Sequence, residues 1–391
     1  MKEFRFSPEI ILDHQNIVPL RGQIITQMRQ AVITHRVKPG TRVISERALA
    51  EKLSINRNTV HQAYEDLVES GLFCIQSARG GVRISPQASE FYKRPYPTIN
   101  LLMPYSFRDQ LHLFSPYGLD MFAGVLDRAA ERQVSIQILN LPPPDSSGET
   151  IRDFLETLME RSIGIITMGR RREDKEDGVF TSLLKCKTFP HVLMSAFSPE
   201  YPHVSSVSAD LTEGGKALLD HLKKQKIRVL GGFPFFRIGQ EYHDASTSRW
   251  KELKKMALAE GFQFREYPLE KNCESYKTTE DFRKILNGIF SDEIRPQCLL
   301  CSNDSFACAL IDSLRAAGKS VPEDFLVAGY DDLAEESYQL SSLNHSRNEI
   351  GSMAVDLILE LTERHSAGEA LHKTVPTHFI ARKSTQYSSP K

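Results

Sequence analysis

The chain has 391 residues, of which 40% are hydrophobic and 25% are charged, and its net charge is −1. This length is enough for two or three domains, and the composition is that of a soluble globular protein. The longest apolar runs, such as 163–168, are too short to span a bilayer, and the first residues lack the pattern of a signal peptide. We therefore expect a cytoplasmic protein with no membrane partner, whose six cysteines are reduced thiols.

The first 85 residues predict a small helical domain that ends in a hairpin. An amphipathic helix comes first, and Lys38-Pro39-Gly40 ends it. Ser45 and Asn56 are placed to cap two further helices across a tight turn, and Gly71 ends the last helix. Three helices and a hairpin together predict a winged helix-turn-helix. The predicted elements are helices 19–36, 46–53 and 56–70 and strands 72–75 and 81–84.

The third predicted helix is suited to contact DNA. It opens with Asn56-Arg57-Asn58-Thr59, and Arg and Asn are the side chains that form paired hydrogen bonds to guanine and adenine. Residues 1–85 carry 12 Lys and Arg against 8 Asp and Glu, so this domain has an excess of four positive charges. A basic domain suits a polyanionic partner. The alternative interpretation is a solvated surface on a helical protein–protein module.

Beyond a predicted linker at 86–98, residues 99–391 alternate between short apolar runs and segments of helical length. This alternation predicts an α/β fold with parallel sheets flanked by helices, and such sheets bind ligands beyond the carboxyl ends of their strands. The predicted strands are 99–103, 134–139, 163–168, 191–194, 228–233, 298–302 and 325–329, and the predicted helices are 118–132, 149–161, 212–225, 247–261, 279–290 and 304–318.

The N-terminal segment resembles the GntR family of bacterial regulators. The resemblance rests on words such as Ser45-Glu46-Arg47-Ala48-Leu49-Ala50, Asn56-Arg57-Asn58-Thr59-Val60 and Glu69-Ser70-Gly71-Leu72. The wing departs from the family pattern, because Ala78-Arg79-Gly80-Gly81 stands where relatives have Gly-x-Gly-Thr. The DNA contacts that the resemblance and the helix chemistry imply are Arg47, Asn56, Arg57, Asn58, Thr59, His61, Arg79 and Gly80.

The remainder resembles the LacI-type effector domain, a relative of periplasmic sugar-binding proteins. The matching words include Cys301-Ser302-Asn303-Asp304-Ser305, Val327-Ala328-Gly329-Tyr330-Asp331-Asp332 and Ala381-Arg382-Lys383-Ser384-Thr385. The resemblance implies two lobes with a small ligand bound between them. A GntR-type domain joined to such an effector domain is similar to the architecture of the AraR-type arabinose repressors.

The resemblance also implies an effector site. A sugar needs planar polar side chains that pair with its hydroxyls and an aromatic face for its C–H side. Asp304 is expected to cap the helix that follows it and not to bind ligand. The candidate effector contacts are Arg249, Tyr276, Asn303, Asp331 and His345, with Tyr105, Ser106 and Ser195 as weaker candidates in the first lobe.

We therefore predict a dimeric transcription repressor that binds a pseudo-palindromic operator and responds to a carbohydrate. The alternatives are a cytosolic sugar-binding or receptor protein and an enzyme, and the motifs of an enzyme are not found. No cofactor or metal is expected, because Cys298 and Cys301 lie in a predicted strand, where residues three apart face opposite sides.

Overall fold

The computed structural model describes two domains. The described residues are 5–7, 9–33, 36–76, 81–88, 97–103, 117–168, 178–187, 189–195, 201–233, 245–270, 276–364 and 370–387. The N-terminal domain has a small sheet of strand order β1-β2-β4-β3 beside three helices. Its elements are β1 (Arg5–Phe6), α1 (Leu20–Ile33), β2 (Arg42–Val43), α2 (Glu46–Leu53), α3 (Arg57–Glu69), β3 (Phe73–Ile75) and β4 (Val82–Ile84).

Local capping explains why the N-terminal helices begin and end where they do. The Ser45 hydroxyl accepts a hydrogen bond from the amide of Ala48, and the Asn56 side chain accepts one from the amide of Asn58. Gly71 follows α3 with a φ of +75°, a conformation that glycine adopts without steric cost. These contacts confirm the predicted helix-turn-helix, and the paired strands β3 and β4 confirm its hairpin.

The C-terminal domain is a mostly parallel sheet of eleven strands covered by helices. The first lobe comprises β5 to β9 with α4, α5, α6 and α11, and the second lobe comprises β10 to β14 with α7 to α10. The elements are β5 (Thr98–Met103), α4 (Tyr117–Glu131), β6 (Ser135–Asn140), α5 (Gly148–Arg161), β7 (Gly164–Thr167), α6 (Val179–Lys185), β8 (His191–Met194), β9 (Ser205–Asp210), α7 (Thr212–Lys224), β10 (Val229–Gly232), α8 (Ala245–Ala259), β11 (Gln263–Glu266), α9 (Thr279–Ser291), β12 (Cys298–Leu300), α10 (Asp304–Ala316), β13 (Leu326–Tyr330), β14 (Ser341–His345), α11 (Arg347–Glu363) and β15 (His372–Ile380).

Strand β15 links the two lobes. Its first half, 372–376, pairs in parallel with β9 of the first lobe. Its second half, 377–380, pairs antiparallel with β14 of the second lobe. The sheet is therefore continuous, in the order β11-β10-β12-β13-β14-β15-β9-β8-β7-β5-β6. Movement of one lobe against the other must act on this shared strand.

Every strand and helix predicted in this domain is present, with ends that agree within two residues. The domain contains more elements than predicted, because four strands and two helices were not foreseen. The unforeseen elements are β9, β11, β14, β15, α6 and α11. None of the helices in the described part of the chain has the length and apolar character that crossing a bilayer requires.

Packing at the end of β10 shows why glycine stands there. A Cβ atom at Gly232 would lie 1.6 Å from the ring of Trp250 on α8, so only a residue without a side chain allows this approach. Trp250 also meets Phe264 at 5.2 Å between ring centroids. The tight packing fixes the start of α8 and with it the neighbouring residue Arg249.

Candidate functional site

The side of the N-terminal domain that we predict to face DNA carries exposed basic side chains. Arg47 on α2 is 80% exposed, and Arg57 at the start of α3 is 69% exposed. Arg47 forms an ion pair with Glu51 at 2.9 Å, and Arg57 forms one with Glu46 at 3.5 Å. Exposed ion pairs of this kind contribute little stability, so both guanidinium groups can exchange their partners for phosphates or base edges at low cost.

Glu46 holds two side chains of the recognition helix. Its carboxylate lies 3.5 Å from the Arg57 guanidinium and 3.1 Å from Nδ1 of His61. The hydrogen bond to Glu46 raises the pKa of His61, and the nearby charge of Glu65 acts in the same direction. His61 therefore retains its positive charge to a higher pH than an isolated histidine, which favours contact with DNA.

The other predicted DNA contacts differ in their accessibility. Asn58 is exposed beside Arg57, whereas Thr59 is half-buried. Asn56 is exposed, but its side-chain oxygen already caps α3. Its role in base contact stays a prediction. Arg79 and Gly80 of the wing lie outside the described residues.

A buried polar group lies at the carboxyl end of β13, where parallel sheets bind ligands. Asp331 follows this strand with a φ of +102°, and its carboxylate lies 3.5 Å from the Arg249 guanidinium. That guanidinium stacks over Tyr330, with its central carbon 4.0 Å from the ring centroid. The structure thus brings together two of the predicted effector contacts, Arg249 and Asp331, and adds an aromatic ring.

His345 joins this group from the end of β14. It is 2% exposed, and its ring centroid is 5.5 Å from that of Tyr330. Burial lowers the pKa of His345 to about 3, and the charges of Arg249 and Arg347 add to this effect. The imidazole is therefore neutral at physiological pH, so it offers one hydrogen-bond donor and one acceptor.

The Asp331 carboxyl group is in an unusual electrostatic setting. Burial raises its pKa to about 7, and the nearby Asp304 carboxylate acts in the same direction. Arg249 and Arg347 oppose this shift without cancelling it. A carboxyl group poised in this way can accept or donate a hydrogen bond to a hydroxyl group of a ligand.

Arg347 is a residue of the site that sequence reasoning missed. Its guanidinium donates hydrogen bonds to the backbone carbonyl of Asp331 and, at 3.1 Å, to the carboxylate of Asp120. Asp120 lies on α4 of the first lobe, whereas Asp331 lies in the second lobe. Arg347 therefore bridges the two lobes. The one signal in the sequence was the position of Arg347, two residues after β14. That strand is polar and was itself not predicted.

Asn303, and not Asp304, caps the helix α10. The Asn303 side chain accepts a hydrogen bond from the amide of Phe306 at 2.8 Å and caps α10, so the expectation that Asp304 is the cap is wrong. Asp304 instead accepts hydrogen bonds from the amide of Leu333 and the hydroxyl of Ser342, both at 2.7 Å. It thereby holds the turn that presents Asp331. A direct contact between Asn303 and an effector stays a prediction.

Tyr276, the aromatic residue predicted to stack on a sugar, is packed in the core of the second lobe. It is 5% exposed, and its ring lies edge-on to Phe282 at 5.2 Å and to Phe306 at 5.6 Å. Its hydroxyl accepts a hydrogen bond from the amide of Glu270 at 3.1 Å. Tyr276 therefore helps to pack the core of the second lobe, and its contact with an effector stays a prediction, whereas the ring beside Arg249 is that of Tyr330.

The weaker candidates lie in or near the first lobe. Ser195 directly follows β8 with a φ of +55°, and its hydroxyl lies 3.4 Å from the sulfur of Met121. The structure therefore places Ser195 at the carboxyl edge of its strand, as predicted. Tyr105 and Ser106 lie outside the described residues.

Unsatisfied polar atoms mark the carboxyl ends of the strands on either side of β13. The Ser302 hydroxyl and the side-chain oxygen of Asn344 are buried without a hydrogen-bond partner among the described residues. The strands β12, β13 and β14 are parallel neighbours, so these groups share one edge of the sheet. A buried polar atom without a partner costs about 1–3 kcal/mol, which a ligand rich in hydroxyl groups can recover.

Two protein families match the chain in separate segments. Residues 20–83 match the bacterial regulatory proteins of the gntR family, and residues 219–385 match the periplasmic binding protein-like domain. An arabinose metabolism transcriptional repressor of Geobacillus stearothermophilus is 24% identical over 393 residues, which cover 95% of this chain and 99% of the relative. A transcriptional repressor PurR of Pasteurella multocida is 25% identical over 283 residues, which cover 70% and 78% of the two chains.

Solved structures share the fold. A transcriptional regulator CelR–cellobiose complex superposes with a TM-score of 0.58 at 20% identity, covering 87% of this chain and 99% of that chain. The lac repressor bound to ONPG superposes with a TM-score of 0.57 at 19% identity, covering 84% and 90%. The chain thus joins a GntR-type DNA-binding domain to a periplasmic-binding-protein-like domain. It is a DNA-binding transcription regulator and not an enzyme.

Proposed function

We propose that this regulator is a cytoplasmic repressor that releases its operator when a small carbohydrate binds between the lobes of its C-terminal domain. The observation that carries the proposal is the buried group of Arg249, Asp331, Tyr330 and His345 at the carboxyl edge of the second lobe. Relatives support it, because one is named for arabinose metabolism and one solved neighbour is a complex with cellobiose.

The chemistry of the site suits a neutral polyhydroxy ligand. Among the described residues of the site, Arg249 faces the Asp331 carboxyl group and Arg347 faces the Asp120 carboxylate, so each cation has an acidic partner. The 3.5 Å spacing between Arg249 and Asp331 is long for a hydrogen bond, so each can turn to a sugar hydroxyl. The Tyr330 ring offers an apolar neighbour.

The DNA side of the proposal is a homodimer on a pseudo-palindromic operator. Each N-terminal domain presents Arg47, Arg57, Asn58 and His61 to the major groove of one half-site. Two such domains meet half-sites about 34 Å apart, one helical turn of DNA. The ligand can act only through different affinities for the closed and open arrangements of the lobes.

The test is thermal melting of the full chain against a panel of arabinose, ribose, cellobiose, sucrose and purine bases. A sugar at 100 times its dissociation constant adds about 2.7 kcal/mol to the free energy of unfolding, and the melting temperature rises. A rise with one or more of the sugars is the expected result. A rise with purine bases alone, or with none of the panel, contradicts a carbohydrate effector.

A further inference from the structure

The segment before α1 holds one apolar residue in a fixed position. The backbone amide of Val18 donates to the Asn16 side chain at 2.9 Å, and the backbone carbonyl of Val18 accepts from the Gln23 side chain at 2.7 Å. Gln23 is 2% exposed and also pairs with both backbone groups of Asp13. Side chains thus secure the backbone of Val18 on both sides, so that its own side chain is presented outward from the N-terminal domain.

This side chain is buried in the other domain. Val18 is 2% exposed and belongs to a hydrophobic cluster of the first lobe. The cluster includes Leu102 on β5, Leu155 on α5 and Phe180 on α6. A residue of the N-terminal domain is therefore part of the core of the effector-binding domain. Ile17 packs at the margin of the same cluster.

Charged and apolar contacts surround the buried valine. Arg29 on α1 forms an ion pair with Glu160 on α5, and the Arg29 side chain is only 11% exposed. A Cβ atom at Gly22 would lie 3.5 Å from the carboxylate of Glu156, so the backbone of α1 comes within contact distance of a side chain on α5. Ile33 at the end of α1 packs against the main core of the first lobe. These contacts form one continuous docking surface along α1.

We infer that this docking surface, formed by Val18, Gly22 and Arg29 against α5 and by Ile33 against the main core of the first lobe, is the contact through which the effector site controls the DNA-binding domain. The inference rests on the proposed function and deepens it. A ligand changes operator affinity only if the DNA-binding domain has different free energies in the two lobe arrangements. Docking on α5 supplies that difference, because the first lobe then holds the DNA-binding domain in one orientation.

The geometry also gives a route from the cleft. Leu102 is one residue from the end of β5, the edge that faces the cleft, and it lies in the cluster that holds Val18. Arg347 connects the second lobe to Asp120 on α4 of the first lobe. Lobe closure moves these elements together, so it changes the packing of the side chains that surround Val18.

Hydrogen exchange on the full chain tests the docking without any ligand. Val18→Asp places a carboxylate in the apolar cluster, so peptides that span 148–161 should exchange about tenfold faster, although they lie far from residue 18 in the sequence. The control Ile75→Asp changes a residue that is 64% exposed in the same domain and should leave α5 unchanged. Unaltered exchange of α5 in Val18→Asp overturns the docking surface.

Coupling is tested with a duplex selected from random DNA by the full chain and the sugar that gives the largest rise in melting temperature. The measured quantity is the ratio of operator dissociation constants with and without that sugar. Arg29→Glu should lower this ratio about fivefold, and Arg29→Glu combined with Glu160→Arg should restore it to within about twofold. The control Glu149→Arg reverses an exposed charge at the other end of α5 and should leave the ratio unchanged.

The two experiments separate failure of this inference from failure of the proposed function. If no sugar raises the melting temperature, the proposed function fails, and the exchange experiment still decides whether the domains dock. If a sugar binds and releases DNA equally well from Arg29→Glu, Val18→Asp and the unaltered chain, the docking surface is not the route of control.

Discussion

The two functional regions of this protein place their charged side chains in opposite environments. In the DNA-binding domain, Arg47 and Arg57 are 80% and 69% exposed, and their acidic partners are held at the surface. In the candidate effector site, Arg249 and Arg347 are 15% and 8% exposed, and each pairs with a carboxylate of its own lobe. Exposed charges can be removed with little effect on stability, whereas buried charges couple function to folding and to pH.

Removal of the buried arginine has the largest expected effect. Arg249→Ala takes away the partner of Asp331 and the cation above Tyr330, so affinity for the sugar should fall about 100-fold, while operator affinity without sugar stays the same. The measurement is the melting-temperature rise as a function of sugar concentration. Lys251→Ala, an exposed change on the same helix, is the control. A normal sugar response in Arg249→Ala contradicts the assignment.

Removal of an exposed arginine should affect only DNA binding. Arg57→Ala and Arg47→Ala should each weaken operator binding about tenfold to 100-fold, because a paired contact to a base contributes about 1–3 kcal/mol. The melting temperature should not change, since both ion pairs lie at the surface. Fluorescence anisotropy with the selected duplex measures the loss, with Lys226→Ala on the second lobe as the control. Unchanged affinity in both variants would refute this DNA-facing surface.

The buried carboxyl group should make stability depend on pH. Because burial raises the pKa of Asp331 to about 7, the folded chain binds more protons than the unfolded chain between about pH 4 and pH 7. Stability of the sugar-free protein should therefore fall as the pH rises through this window. Each unit of pKa shift corresponds to about 1.4 kcal/mol.

Asp331→Asn removes this titration, so its melting temperature should decline less between pH 5 and pH 7.5 than that of the unaltered chain. Thermal melts across that range measure the two slopes. Asp220→Asn, an exposed change on α7, should keep the slope of the unaltered chain. Identical slopes for the Asp331 variant and the unaltered chain would show that this carboxyl group is not the source.

The smallest expected effect concerns the surface pair of Glu46 and His61. Glu46 raises the pKa of His61, so a positive charge persists on the recognition helix to a higher pH. Operator affinity should decline as the pH rises from 6 to 8, and in Glu46→Gln this decline should begin at a lower pH, with affinities that differ by about threefold or less. Glu51→Gln, which frees Arg47 instead, is the control. Overlapping pH profiles for the two variants would exclude this role of Glu46.

The same contrast explains which parts of the fold could be predicted from sequence. The DNA-binding domain follows local rules, because Ser45 and Asn56 cap their helices and Gly71 ends the last one. Apolar runs located most strands of the C-terminal domain. The strands β9, β14 and β15 were missed because polar residues occupy them, and their stability comes from pairing with strands distant in sequence.

The effector site was predictable only in part for a related reason. Arg249 and Asp331 were predicted by resemblance, and the structure places their side chains 3.5 Å apart, while their contact with an effector stays a prediction. The contacts of Arg347 require that α11 lies beside both α4 and the end of β13, and no local sequence pattern reveals this arrangement. The packing of Tyr276 against Phe282 and Phe306 could not be predicted, because its place in the sequence does not show these contacts.

The exposed Arg47 and Arg57 bind the operator in this account, whereas the buried Arg249 is required for the sugar to release it. The most direct test is the operator dissociation constant of the unaltered chain, Arg57→Ala and Arg249→Ala, each with and without the sugar that raises the melting temperature. We predict tight, sugar-sensitive binding for the unaltered chain, weak binding for Arg57→Ala, and tight binding that sugar does not weaken for Arg249→Ala. Release of Arg249→Ala from DNA by the same sugar concentration would contradict the account.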